Sequence, residues 1–460
     1  NPELSMGCRL KEKQSKRWNL YSMTLINTTM TSVLHNKTIH ALALSMLWST
    51  VFLGITETFS AEKLSSYHPL TEERTALERR STAPQMNYNV NKKFESVAER
   101  FGNGDLEGAM KSLQSMLNWN INDYERAVIY QFMGFVYVQQ NNIDMAIEVF
   151  RKCTDLDILS TSQHQSTVFN LASLYGSRED WDSTISKLMQ WFKYASDPVA
   201  EAYIMMGIAY FQKGDLLTAL PYVHIANIKS KKPQESWHQL ELAILFLNKR
   251  FEAAVEILKR MATYWPDKEK YWETLAGAYM ELQKDPDALS ALTLGYKNNA
   301  ISKKETLENL ARLSLYLEIP YQAATIVEEN INNGSLEKNE KNLKLLLSAW
   351  TAAREFDQAI EVINVLAPMI NDGDLYIQKA MLLNEKGDWE GIKLAASQAL
   401  NTGNLEKPGD ICILMGMAQT ELEEYVQAIN SFEKAVELGT DGNKRNAEAW
   451  IEYVTDRKGS

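Results

Sequence analysis

Hydrophobic positions between Tyr271 and Asn299 fall into two runs of helical spacing. Trp272, Leu275, Ala276 and Tyr279 recur at intervals of three and four, so they share one face of a helix. After a break at Lys284-Asp285-Pro286, Ala288 and Leu292 resume that spacing. Asp285 is a candidate cap for the second helix, and Pro286 suits its first turn, where no backbone N–H is needed. Ala276 and Ala288 are small enough for the paired helices to cross closely.

The unit recurs ten times. With the small residue of the first helix at position 8 and that of the second at position 20, repeats begin near Val90, Ala127, Gln165, Ala200, Glu235, Glu269, Lys304, Glu340, Gly373 and Gly409. Position 20 then reads Ala109, Ala146, Thr184, Ala219, Ala254, Ala288, Ala323, Ala359, Ile392 and Ala428. Eight alanines in ten copies at one phase mark where the paired helices cross. Position 8 is looser: Val97, Gly134, Ala172, Gly207, Leu242, Ala276, Ala311, Leu347, Ala380 and Gly416. The turns Gly104-Asp105, Gly214-Asp215 and Gly387-Asp388 each supply a left-handed stop and an acidic N-cap. The order W-x2-L-A-x2-Y, then A-x3-L, resembles the tetratricopeptide (TPR) repeat with Ala in place of its first Gly. The resemblance implies an all-α fold: a right-handed TPR superhelix, or α-solenoid, of about ten helix pairs with a C-terminal capping helix.

Length alone would divide 460 residues into roughly three globular domains. The repeats overrule that expectation, because an array buries its core between neighbours. A formal charge of −11 argues against a general nucleic-acid or anionic-membrane binder, whose contacts need concentrated Lys and Arg. Three cysteines are too few for a disulfide framework. Cys153 and Cys412 fall on core positions of repeats 2 and 10, so they are expected buried and unpaired.

Residues 1–61 read as an upstream extension followed by a secretory signal, with Met23 or Met30 as a start. Lys37 precedes the apolar run Ala41–Ile55, and Thr58-Phe59-Ser60-Ala61 follows it. The run is shorter than the ~20 residues a membrane span requires, so cleavage after Ser60 or Ala61 is expected. An uncleaved anchor at the inner membrane, facing the periplasm, is the alternative. Residues 62–89 are polar, with Glu72-Glu73-Arg74 and Glu78-Arg79-Arg80, and read as a short solvated helix and linker. Ten repeats then fill 90–442, and 443–460 form a capping helix and tail whose Ala447, Trp450, Ile451 and Val454 make one apolar stripe. Repeat 1 departs from the pattern at Arg100, as a chain end meeting solvent would. Repeat 9, with Lys379 at position 7 and Ile392 at position 20, is a candidate local distortion.

The sequence holds no Gly-rich phosphate loop, no serine nucleophile elbow and no His spacing suited to zinc. Acid pairs such as Glu328-Glu329 and Glu423-Glu424 are adjacent on helices, where neighbouring side chains point apart. His224 and His238 read as surface or helix-packing residues. No enzyme, metal or cofactor is expected. What remains is a binding surface: positions 2, 5, 9 and 12 of the first helices are expected to face an inner groove. Repeats 2–6 place Phe135, Phe169, Ile204, Ile208, Phe211, Phe246 and Met280 there, whereas repeats 6–8 place Glu273, Glu305, Glu308, Arg312, Lys341 and Lys344. An apolar part and a charged part would suit an extended or helical peptide. The alternative is that the aromatics fill the junctions between repeats. Position 5 carries a lysine only at Lys344, and position 9 holds no asparagine, unlike carboxylate-gripping TPR domains.

The segments NDYERAVIYQFMGFVY (Asn122–Tyr137), YWPDKEKYWETLAGAY (Tyr264–Tyr279) and EIPYQAATIVEENINNG (Glu318–Gly334) resemble a narrower family. It comprises the periplasmic TPR proteins associated with the TonB–ExbB–ExbD energy-transduction system of marine gammaproteobacteria. The resemblance runs over about residues 87–454 and includes the Trp-bearing terminal helix at Ala449-Trp450-Ile451. It implies a Gram-negative source, a periplasmic location and a scaffold role with a TonB/ExbB/ExbD-type complex as partner, without nucleic acid or stable membrane insertion. It carries over no catalytic or ligand residues. An envelope-assembly factor binding peptidoglycan-synthesis or outer-membrane clients is the competing function.

Overall fold

A computed structural model of the chain describes residues 68–71, 76–77, 84–403 and 405–459. The expected signal in 1–61, with its run at 41–55, lies outside the described residues, as do both charge clusters of 62–89. Every regular element among the described residues is a helix, and none is long and apolar enough to cross a membrane. The chain divides into two compact units, one ending at Ile257 and the other beginning at Leu258.

The first unit contains α1 (Tyr88–Gly102), α2 (Leu106–Met116), α3 (Asp123–Gln139), α4 (Ile143–Asp155), α5 (Thr161–Ser177), α6 (Trp181–Tyr194), α7 (Ala200–Gln212), α8 (Leu216–Lys229) and α9 (Glu235–Leu247). The division falls inside α10 (Phe251–Tyr264). The second unit continues with α11 (Glu269–Glu281), α12 (Asp285–Lys297), α13 (Lys304–Tyr316), α14 (Pro320–Asn332), α15 (Glu340–Ala352) and α16 (Phe356–Ile370). It ends with α17 (Gly373–Lys386), α18 (Trp389–Thr402), α19 (Pro408–Glu421), α20 (Tyr425–Leu438) and α21 (Asp441–Gly459). Odd-numbered helices up to α19 are the first members of repeats. Six of them start at the residue where the sequence pattern begins a repeat: Ala200, Glu235, Glu269, Lys304, Glu340 and Gly373.

Helix crossing explains the small residues. All ten position-20 side chains are fully buried, including Thr184 and Ile392. Opposite them, position 8 takes the tightest approach. A Cβ on Gly134 would stand 2.4 Å from the Phe150 ring, one on Gly207 2.5 Å from Val223, and one on Gly416 2.6 Å from the Phe432 ring. Each partner sits at position 24, so in these three repeats glycine at position 8 makes room for the side chain there. Buried Thr184 satisfies its hydroxyl by donating to the Asp180 carbonyl at 2.8 Å, which makes it tolerable among alanines.

The turn inside each repeat is more regular than the sequence. At position 15 all ten copies hold a left-handed residue, yet only Gly104, Gly214 and Gly387 are glycine. Asn141, Glu179, Lys249, Gln283, Glu318, Arg354 and Glu423 adopt positive φ despite their Cβ. In every copy the next residue's N–H returns to the position-11 carbonyl, as from Asp215 to Tyr210 at 3.0 Å and from Lys284 to Tyr279 at 2.9 Å. This six-residue closure satisfies a carbonyl the helix end would otherwise leave bare. The acidic caps at Asp105, Asp215 and Asp388 accept backbone N–H bonds as expected, and Asp180 and Asn142 do the same. Asp285 does not: it is the first residue of α12, and Lys284 stands at the cap without a side-chain bond.

Two further expectations are corrected. Repeat 9 is not distorted, since α17 and α18 are regular helices. Lys379 fits by donating to Asn364 Oδ1 at 2.7 Å, while burial lowers its pKa. Residues 68–71 and 76–77 are not a solvated helix or linker, because Pro69 is buried and Leu70 packs on the first unit. At the other end α21 covers repeat 10. Ala447 and Val454 are buried there, and Trp450 stacks on Phe432 with centroids 5.6 Å apart.

Candidate functional site

The expected surface has members in both units. In the first unit three of its residues are core: Phe169 is 5% exposed, Ile204 0% and Ile208 6%. Phe169 meets Trp191 at 5.5 Å between centroids, within a cluster that includes Leu188, Phe192, Tyr203 and Tyr222. Phe135 is half-buried, edge-on to Phe150 at 5.4 Å and Phe132 at 6.4 Å. Phe211 is half-buried against the same cluster as Phe169, and Phe246 lies edge-on to Phe251 at 5.8 Å. Of the four expected aromatic anchors Phe169 is therefore core, while Phe135, Phe211 and Phe246 keep partial exposure.

The reason is visible in a polar neighbour. Position 5 of repeat 2 is Gln131, whose amide donates 2.7 Å to Thr167 Oγ1, at position 3 of repeat 3. Both are buried. Position 5 therefore looks across the seam to the next repeat's first helix, and Phe169 and Ile204 occupy equivalent places. Nearby, burial pushes the Cys153 thiol up to about 12. Cys153 and Cys412 are both buried and free, as expected.

In repeats 6–8, in the second unit, the expected surface residues are mostly charged, and several are already paired. Glu273 Oε1 accepts from the buried Thr306 hydroxyl, and its Oε2 pairs with Lys303 at 2.9 Å. Glu308 pairs with Lys341, and Lys344 pairs with Glu340 at 2.7 Å along its own helix. Glu273 to Thr306 repeats the position-5 to position-3 link of Gln131 to Thr167. Met280, 43% exposed, and exposed Arg312 remain open to solvent. Arg312 has no ion pair among the described residues. Glu305 is exposed as well.

Sequence reasoning missed a buried carboxylate in the first unit. Glu241, 2% exposed, takes the ring of His224 at 2.6 Å and the Asn227 amide at 2.8 Å, which joins α8 to α9. Its signal was an acid at position 7, where most repeats place Met or Leu. His238 is also buried, with Nδ1 3.0 Å from the Gln234 carbonyl. His224 thus links two helices, and His238 closes on the cap of its own helix. No group of three metal-ligating side chains occurs among the described residues.

Comparison with known proteins agrees with this architecture. Residues 127–157 and 409–438 match the tetratricopeptide repeat family model. The chain carries tetratricopeptide repeats. The all-α array of helix pairs is the TPR solenoid fold, of which these segments are repeats 2 and 10. Among solved structures, a TPR protein from Parabacteroides merdae is 18% identical over 56% of this chain and 98% of its own, with a TM-score of 0.27. YrrB, described as a TPR protein with an unusual peptide-binding site, is 16% identical over 37% of this chain and 86% of its own, at 0.32. MamA is 18% identical over 38% of this chain and 92% of its own, also at 0.32. No curated protein matches the chain by sequence.

Proposed function

We propose that this TPR protein is a protein-interaction scaffold whose partner is a protein or peptide, and that it serves a periplasmic TonB/ExbB/ExbD-type complex. The scaffold reading rests on one observation: a constant skeleton carries variable faces. Position 20 is buried in all ten repeats, whereas positions 9 and 12 vary in chemistry and exposure, from half-buried Phe135 and Phe211 to exposed Met280 and Arg312. A repeat built this way holds its shape while its outward residues vary, which suits partner recognition. The TonB assignment draws on the sequence resemblance given above.

The test is crosslinking in intact cells of the source, with affinity capture through a tag after Ser460. ExbB, ExbD or TonB-type subunits should be recovered with the bait. Recovery of wall-synthesis enzymes or outer-membrane clients instead would replace the TonB reading with the envelope-assembly one.

A further inference from the structure

Ahead of α1, the described part of residues 68–77 is seated on the first unit at the junction of α6 and α7. Pro69 is buried, and its carbonyl accepts a hydrogen bond from Tyr203 Oη at 3.3 Å, across 134 residues of sequence. Leu70 packs against the cluster that contains Phe169, Phe192, Tyr203 and Tyr222. Leu77 donates its N–H to the Lys193 carbonyl at 2.8 Å. Lys193 lies in the last turn of α6, where carbonyls have no partner within the helix, and the following Ala195 is extended. His68 shapes the approach: its Nδ1 accepts from Leu70 N–H at 3.3 Å and its carbonyl from Thr71 N–H at 3.0 Å, closing a turn around Pro69.

These features define a ligand class. Tyr203 reads a peptide carbonyl, the cluster accepts a leucine side chain, the buried place takes a proline ring, and Lys193 offers a carbonyl to a peptide N–H. Two of the four links are to backbone, so they read the peptide chain itself and leave specificity to the proline and leucine side chains. We propose that the α6–α7 junction is a docking site for a Pro-Leu turn of a peptide, and that residues 68–71 of this same chain, followed by 76–77, occupy it. A partner segment of that chemistry must displace them. Tethering gives the resident segment an effective concentration of about a millimolar, so a weak cis contact suffices to keep the site closed.

The inference rests on the scaffold reading for its consequence, but its probe is the chain's own peptide. Failure of the TonB capture therefore leaves it standing, and its own failure leaves the scaffold standing. The experiment uses the full chain and a fluorescent peptide of residues 66–80. The double substitution Pro69→Ser with Leu70→Asp releases the resident segment, so this variant should bind the peptide at least tenfold more tightly than the wild type. Adding Tyr203→Phe to the release variant should weaken binding roughly two- to tenfold, the loss of one neutral hydrogen bond. Peptide binding that is absent from the release variant, or equal in both chains, overturns the proposal. Hydrogen exchange in the wild-type chain gives a reading independent of any variant. The Leu77 amide should be protected, and exchange at the free-peptide rate would show that the segment is not docked.

Discussion

Position 5 of the first helix behaves differently in repeats 3 and 4 of the first unit and in repeats 6 and 7 of the second, and the difference separates sequence pattern from exposure. Repeats 3 and 4 hold Phe169 and Ile204, which are core, as are Ile377 and Ile413 in repeats 9 and 10. Repeats 6 and 7 hold Glu273 and Glu308, which bind Thr306, Lys303 and Lys341. Gln131, in the first unit, uses the polar solution with Thr167. Each of these links, apolar or polar, closes a seam between repeats. A run of aromatics at such positions therefore marks strong cohesion before it marks a binding face, and a run of charges marks a paired ladder.

The comparison breaks first, and by the largest amount, at its apolar members. Phe169→Ala should cost about 3–5 kcal/mol, and Ile204→Ala about 2–5 kcal/mol, through lost burial and the cavity left behind. Urea unfolding of each variant measures this. A cost below ~1 kcal/mol at Phe169 would return that residue to the surface and undo the contrast.

The polar seam should answer more gently. Glu273→Ala strips the acceptor from a buried hydroxyl, Thr306 at 4% exposure, and is expected to cost about 1–3 kcal/mol. Glu273→Gln keeps an acceptor oxygen and should recover most of that loss. The Lys303 pair adds little, since both partners are partly exposed and screened. Stability of Glu273→Ala equal to wild type, or a Gln variant as weak as the Ala one, would show that the Thr306 bond carries no seam energy.

How much of this was legible can be argued from the same residues. Period and phase came through because burial at position 20 admits small side chains at the crossing, so Ala146, Ala219 and Ala288 repeat visibly. Turn location came through only at Gly104, Gly214 and Gly387. Elsewhere the left-handed site holds Glu179, Lys249 or Gln283, because the returning N–H and the packed helices impose the conformation at a local cost. Exposure at positions 5 and 9 did not come through. Whether Ile208 is covered depends on the neighbouring repeat, and a single repeat's pattern contains no information about that neighbour. Glu241 shows the same limit, since His224 and Asn227 on the preceding helix make its burial tolerable.

The non-glycine turns give a smaller effect of opposite sign. Each pays for its left-handed φ with roughly 1 kcal/mol of backbone strain. Gln283→Gly or Glu318→Gly should therefore stabilise the second unit, and Lys249→Gly the first, by about 0.5–1 kcal/mol. Glycine's greater freedom in the unfolded chain subtracts from the gain. Thermal melts of the three variants provide the measurement. Three lowered melting temperatures would mean that side-chain contacts at these turns outweigh strain.

The smallest change in stability is expected at Met280 and Arg312, two members of the surface that solvent reaches. Met280 is 43% exposed, and Arg312 has no ion pair among the described residues, so neither truncation opens a cavity or strands a charge. Met280→Ala and Arg312→Ala should each fall within about 0.5 kcal/mol of wild type. Binding is where they should differ from Phe169. An exposed apolar side chain or guanidinium at a used interface can contribute ~2 kcal/mol when the partner covers it. Capture of the crosslinked partner by the double variant reads this directly. Reduced capture by a stably folded chain places the interface on this face of the second unit, while full capture moves it elsewhere on the solenoid.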